Sequence, residues 1–393
     1  MTAHVDDAQR RARLGRLHAL AGGCQVGDLA DATDAVVGLH ATDPCTVFMS
    51  VWARVEDVLI SDIETALYDE RAAVRMLGMR RTMFVVPLGT WEAIHESSTR
   101  HIAARERRRS EQFIAAAGIV SDPGGWFEAL CEDTLTALRS TGGGTTAEVT
   151  PLVEGLETRV PVGVGTANEA AMSVASRVLF QLGAEGRVVR GRPQGSWVSS
   201  QYRWVPTEDW VDLPRSDLDV LGARVALVRR YLAAFGPATE SDVVWWTGWT
   251  KTDARAALAA LEVEEVTTDH GVAYVLATDT APHPHVETWV ALLPSLDPTT
   301  MGWKERSWYL GDHGPALFDR NGNAGPTVWV DGRVVGGWGQ VPGGEVAWRL
   351  VEDVPAEAEA AIAERAAELT EWLGGKVVMP RFPTPMQKDI ASG

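Results

Sequence analysis

Cysteine is scarce. Cys24, Cys45 and Cys131 are the only three in 393 residues, an odd count without metal spacing, which excludes a disulfide framework and a thiolate metal site. Each reads as a small buried hydrophobe. Long apolar runs are missing as well: none approaches the ~20 residues of a membrane span, and the start Met1-Thr-Ala-His-Val-Asp-Asp7 lacks the charged and apolar regions of a signal peptide. The expectation is a cytoplasmic protein with no membrane partner. A phosphate-cradling glycine loop, a nucleophile elbow and a metal-ligand cluster are all lacking, so no metal, nucleotide or other cofactor is expected. Gly142-Gly-Gly144 is read as a loop ahead of a helix.

Positive charge is in deficit too, with 36 Lys and Arg against 53 Asp and Glu and a net charge of −17. That sum disfavours binding to polyanions, but the charge is segregated along the chain. Arg71, Arg75, Arg80 and Arg81 fall in a stretch to Met83 without an acid. Arg100, Arg105, Arg107, Arg108 and Arg109 face only Glu106. Arg187, Arg190, Arg192 and Arg203 fall in another acid-free stretch, whereas Gly343 to Gly375 carries eight acids against Arg349 and Arg365. An acidic exterior around local basic tracks shortens non-specific residence on a nucleic acid while keeping a phosphate-binding path.

A helical unit recurs. Thr145-Thr-Ala-Glu148, Thr239-Glu-Ser-Asp242, Thr250-Lys-Thr-Asp253 and Ser61-Asp-Ile-Glu64 have the capping-box pattern, a hydroxyl at the N-cap and a carboxylate three residues on. β-rich segments follow at Thr82 to Pro87, Arg187 to Val205 and Glu262 to Ala277. Helix, turn, helix and hairpin is the winged-helix arrangement. The third copy is clearest, with helices Ala226 to Phe235, Thr239 to Thr247 and Thr250 to Leu261. Its Trp245, Trp246 and Trp249 are read as core, not as a platform for bases. From Val286 the pattern changes to strands Thr288 to Leu292, Thr327 to Val330, Arg333 to Val335 and Glu345 to Leu350, then a helix Ala356 to Leu373. The predicted fold class is α+β, three tandem winged helices with a C-terminal β-barrel-like domain. The divisions are 1–87, 88–210 (a linker helix and the second unit), 211–285 and 286–393.

The run Gly38 to Pro44 holds the groups that could do chemistry. Inside a helix, residues two apart point about 200° from each other. Pro44 forces Asp43 out of the helical region. With the chain extended from His40 onward, His40 and Thr42 face the same way. Asp43-Pro44 is a strong N-cap and N1 pair for the helix Cys45 to Val55. The competing role for His40 is to cap a helix or satisfy a carbonyl.

Five segments together, Leu39-His-Ala-Thr-Asp-Pro44, Arg81-Thr-Met-Phe-Val-Val-Pro87, Gly236-Pro-Ala-Thr239 with Trp245-Trp-Thr-Gly-Trp249, Leu292-Leu-Pro-Ser-Leu-Asp-Pro298 and Val330-Asp-Gly-Arg-Val-Val-Gly-Gly-Trp338, resemble the AlkZ-like and YcaQ-like DNA glycosylases. That family of tandem winged-helix proteins includes self-resistance enzymes against DNA-alkylating antibiotics. The resemblance runs from about Leu14 to Pro383. It implies units arranged around a duplex-sized channel and hydrolysis of the N-glycosidic bond of bulky N7-alkylated purines or crosslinks. The implied partner is double-stranded, alkylated DNA, met by a monomer. The family's catalytic motif is glutamine, an apolar residue, then glutamine or aspartate; here His40, Ala41 and Thr42 stand in its place. An N7-alkylated purine departs without protonation, so the site needs only a water held beneath C1′. Neutral His40 is expected to orient that water and accept its proton, and Thr42 to hold it. Asp43 and Asp297 are secondary candidates for the site. Arg75, Arg80, Arg81, Thr82, Arg100, Arg187, Arg190, Arg192, Arg203 and Arg333 are expected to meet DNA. The alternative is a non-catalytic winged-helix regulator or lesion sensor; a protein-interaction scaffold is weaker.

Overall fold

The computed structural model describes every residue except 1–2, 164, 166–169, 215–216, 281–285, 379–382 and 393. Its first unit runs helix Leu29–Ala35, strand β1 (Leu39–His40), helix Pro44–Trp52, helix Ile60–Glu64 with its π-helical continuation Thr65–Asp69, then β2 (Ala73–Leu77) and β3 (Met83–Pro87). The three strands form an antiparallel sheet in the order β1-β3-β2. The helix after β1 starts where the sequence says: Asp43 is extended and its carboxylate accepts from Cys45 N at 3.2 Å, with Pro44 at N1. The capping box at Ser61 is not used. That helix begins at Ile60, and Asp62 reaches back to the Leu59 N–H at 3.0 Å.

The same order returns twice. In the middle of the chain helix Pro123–Thr141 precedes a one-residue antiparallel bridge from Gly144 to Trp204. Helices Thr146–Val149 and Val174–Ala184 follow, with a short hairpin of β4 (Arg159–Val162) and β5 (Ala170–Ser173) inserted between them. The hairpin of β6 (Val188–Pro193) and β7 (Tyr202–Pro206) closes the unit. Further on, helix Val220–Phe235 leads to a bridge from Ala238 to Tyr274, helices Glu240–Thr247 and Lys251–Ala259, and the hairpin of β8 (Val263–Thr268) and β9 (Gly271–Leu276). Thr145, Thr239 and Thr250 each cap their helix through the side-chain oxygen, as the sequence requires.

The C-terminal region is an antiparallel meander of β10 (Val290–Leu293), β11 (Thr327–Val330), β12 (Arg333–Gln340) and β13 (Val346–Leu350). It corrects the expected barrel-like closure. Among the described residues β10 and β13 remain edges, and helices Ala356–Leu373 and Pro385–Ala391 pack against the sheet. Covering a sheet with helices protects its edges without bending it shut.

Packing divides differently from strand order. One apolar core runs from Leu14 to Ile390 and joins the first unit, the third unit and the C-terminal sheet. The helices of the middle unit keep a second core, from Ile114 to Val188. Val189 and Trp197 of the middle hairpin belong to the first core, where Trp197 lies 5.1 Å from Phe48 between ring centroids.

Candidate active site

His40 is held by the backbone on both sides. It pairs with Phe84 in β3, and Ala41 N donates to Met83 O at 2.8 Å, so the chain stays extended beyond the strand. Gly38 permits the approach of β1 to β3, because a Cβ there would lie 2.9 Å from Val86 Cγ1 and 3.2 Å from Val85 O. Val37, one residue earlier, has φ +65°, a left-handed backbone that is strained for a β-branched side chain.

The imidazole is 5% exposed and packs against Phe84 at 4.6 Å between centroids. It is a buried group at the wall of the first sheet, not one standing in open solvent. Neither expected structural job is performed: it makes no hydrogen bond to a described residue, and Nδ1 is sealed without a partner. Burial first, then the nearby positive charge of Arg80, pushes its pKa down to about 3, against a small opposing pull from Asp297. His40 is therefore a neutral acceptor across the physiological range. Thr42 is half-buried two residues on. Asp43 is committed to the helix cap, and on its other side it helps line a cavity of about 360 Å³ against Trp338, Gln340 and Lys388.

Asp297 corrects the sequence reading. It is fully buried and faces no channel: Arg54 Nη1 and Nη2 donate to its two oxygens at 2.9 and 2.8 Å, joined by Ser50 Oγ at 2.7 Å and Thr299 N at 2.9 Å. Burial alone would raise its pKa, but Arg54 and these donors hold it below the usual carboxylate range. The chain of bonds continues from Arg54 to Thr299 Oγ1 and on to His18, whose other ring nitrogen meets Ala234 O at 3.1 Å. His18 is fully buried, and its pKa is also pushed to about 3 by burial and Arg54. Thr46 Oγ1 adds a bond to Ser295 O at 2.9 Å. Together these contacts fix the helix behind the His40 run to the C-terminal region.

The two depressed histidines make stability fall in acid. Unfolded, each takes up a proton near its ordinary pKa of about 6.5; folded, each refuses it down to about 3. Their contribution is complete above pH 6.5 and is lost as pH falls toward 3, roughly 2 kcal/mol per histidine by pH 5. Urea melts at pH 7.5 and pH 5 should show this loss, and His40→Gln should show a smaller one.

The expected DNA-binding residues do not share one environment. Arg81, Arg100, Arg187, Arg192, Arg203 and Arg333 carry carboxylate partners, Glu106, Glu96, Glu132, Asp69, Glu148 and Glu352 respectively, at 2.6–3.2 Å. The Arg81 partner Glu106 is buried, whereas the other five pairs reach solvent and contribute little. Arg75 is a correction. β2 is buried on both faces, and Arg75 within it is 3% exposed, over the Tyr202 ring at 4.6 Å with Nη1 3.3 Å from Ala41 O, where no duplex phosphate reaches it. Arg190 lies over Trp204 at 4.9 Å. Thr82 is half-buried at the turn between β2 and β3.

Arg80 differs from all of these. At the tip of the same turn, it has no ion pair or hydrogen bond among the described residues, and its guanidinium rests on Trp245 at 4.2 Å. Arg306 lies over the same indole at 4.7 Å. Sequence reasoning missed Arg306, which sits in an irregular segment with no periodic signal, and placed Trp245 in the core. Trp246 is core, at 7% exposure; Trp245 and Trp249 are half-buried and pack against that core, and two cations lie over Trp245.

Comparison with known proteins decides the family. The family model described as DNA glycosylase AlkZ-like matches residues 33–372, most of the chain. The protein belongs to the AlkZ-like DNA glycosylases. Its structure is similar to that of the Streptomyces sahachiroi DNA glycosylase AlkZ, with a TM-score of 0.69 over 94% of this chain and 98% of that one. At 18% identity this is a likeness of fold. No curated protein matches the sequence. Among the described residues of this family member no cluster of His, Cys, Asp or Glu has metal-binding geometry, and no helix is long and apolar enough to cross a membrane.

Proposed function

We propose that this AlkZ-like protein is a monofunctional DNA glycosylase. It hydrolyses the N-glycosidic bond of bulky N7-alkylated purines or crosslinks, in repair or in self-resistance to an alkylating natural product. The observation that carries the reading is the imidazole of His40: a buried polar ring, at the position of the family's first catalytic glutamine, that serves no partner among the described residues. Leaving a buried polar atom unpaired costs about 1–3 kcal/mol, which a purely structural histidine would avoid by bonding a carbonyl, as His18 does.

The cationic purine needs no acid to leave, so the residues have one task, to hold water against the oxocarbenium-like sugar. His40 orients the water as a neutral acceptor and Thr42 steadies it through its hydroxyl. As the water oxygen bonds C1′ the C1′–N9 bond breaks, and the purine leaves as the neutral alkylated base. The water's proton passes to solvent, since an imidazole with a pKa of about 3 does not keep it. The threefold order of helix, bridge, two helices and hairpin supports three winged-helix units, with β1 as the short first strand of the first. These units would bring double-stranded DNA to the His40 wall, with the lesion exposed by partial or full extrusion. The protein acts as a monomer in this reading, since three units in one chain supply what paired subunits supply elsewhere.

A second reading, a non-catalytic lesion sensor or regulator, is favoured by the 5% exposure of His40. Incubating the purified protein with duplexes carrying N7-alkylguanines and crosslinks separates the two. Release of the modified base with abasic sites left behind supports the glycosylase; tight binding to the same duplexes with every base retained supports the sensor.

A further inference from the structure

Arg80 and Arg306 come from distant segments and meet on one indole. Arg80 is in the turn of residues 78–82, Trp245 in the helix Glu240–Thr247, and Arg306 at the start of the short helix Ser307–Leu310. Arg306 spends Nε on Trp303 O at 2.9 Å and Nη1 on Gly322 O at 3.4 Å, and packs over Phe318 at 4.8 Å. Neither guanidinium has a carboxylate partner among the described residues. Two guanidiniums on one ring, with no carboxylate between them, repel one another.

The local backbone accepts further cost to put Arg80 there. Arg80 and Arg81 are consecutive left-handed residues, φ +55° and +62°. Gly248, itself left-handed, leaves the room: a Cβ on it would lie 2.9 Å from Arg80 Cγ. Partial burial and the like charge of Arg306 push the Arg80 pKa down to about 10. Bringing an anion to the cluster relieves this repulsion. Guanidinium forks match phosphate oxygens, and the aromatic floor holds their planes without spending their N–H groups.

We propose that Arg80 and Arg306, seated on Trp245, form a binding site for a phosphodiester of the DNA backbone on the Arg80 side of His40. The inference rests on the reading that the chain acts on DNA, and it adds the interaction that would fix the sugar–phosphate strand relative to the imidazole. A free phosphate ion shares the ligand chemistry, so the test carries an arm for each source.

The test uses the full-length protein and an undamaged labelled duplex, with binding followed by fluorescence anisotropy over a range of KCl concentrations. Abolishing the grip on a single phosphate makes the slope of log K against log salt shallower by about one. Arg80→Gln and Arg306→Gln should each show that reduction, while Arg139→Gln, whose parent residue is paired with Glu208, keeps the wild-type slope. Arg80 makes no hydrogen bond among the described residues, so its variant remains informative if Arg306→Gln is unstable. Inorganic phosphate at constant ionic strength should displace the duplex from wild type more readily than from Arg80→Gln. Unchanged slopes in a folded Arg80→Gln protein, or equal displacement by phosphate from both proteins, overturn the proposal. Base release plays no part in these readings. An active glycosylase with unchanged slopes sinks this site alone, and an inactive protein with reduced slopes keeps the site while the glycosylase reading fails.

Discussion

His40→Ala should lower the rate of base release from an N7-alkylated duplex by about 10²-fold, the order of loss when a reacting group is misplaced, while duplex binding stays near wild type. The ring contacts Phe84 and carries no hydrogen bond that holds the sheet together, so its removal leaves the β1–β3 pairing to the backbone. His40→Gln, which installs the family's own residue, should keep much of the activity, because an amide oxygen also accepts from water. A pKa near 3 has a kinetic consequence: the rate should be level between about pH 5 and pH 8, with no inflection near the ordinary histidine value of about 6.5. Full activity in His40→Ala would remove the imidazole from the mechanism.

Asp297→Ala should cost about 3–5 kcal/mol of stability, read as a fall in the urea midpoint, because it strands the fully buried Arg54 guanidinium. The double variant Arg54→Met with Asp297→Met should be more stable than Asp297→Ala, since it removes both charges and returns apolar volume. Such a recovery would show that the pair costs much when broken and little when absent. A loss below about 1 kcal/mol in Asp297→Ala would show that water reaches Arg54.

What the sequence made legible was local. Thr145, Thr239 and Thr250 announce their helices because a cap involves residues three apart. Ser61 failed within the same range: two cap patterns overlap, and Asp62 bonding to Leu59 starts the helix earlier. Asp297 was misplaced because its partner Arg54 lies 243 residues away, and nothing near Pro298 signals an ion pair. Arg75 was counted with the surface arginines although its strand is buried on both faces, which a cationic side chain hides from any reading of hydrophobic period. The meeting of Arg80, Trp245 and Arg306 depends on three loops and helix ends arriving together, so only the first was found. Family resemblance located His40; its lack of any internal partner was visible only once the sheet around it was built.

The separate core of the middle unit bears on how such a protein can diversify. The His40 strand, the Arg54–Asp297 anchor and the Arg80 turn are all cast in the larger core, where one altered side chain disturbs many others. The middle helices keep a core of their own and meet the first unit through a small apolar patch around Leu77 and Ala184, and they already carry a hairpin at β4 and β5. Changes of length or shape would be absorbed there first, with the His40 run left as it is.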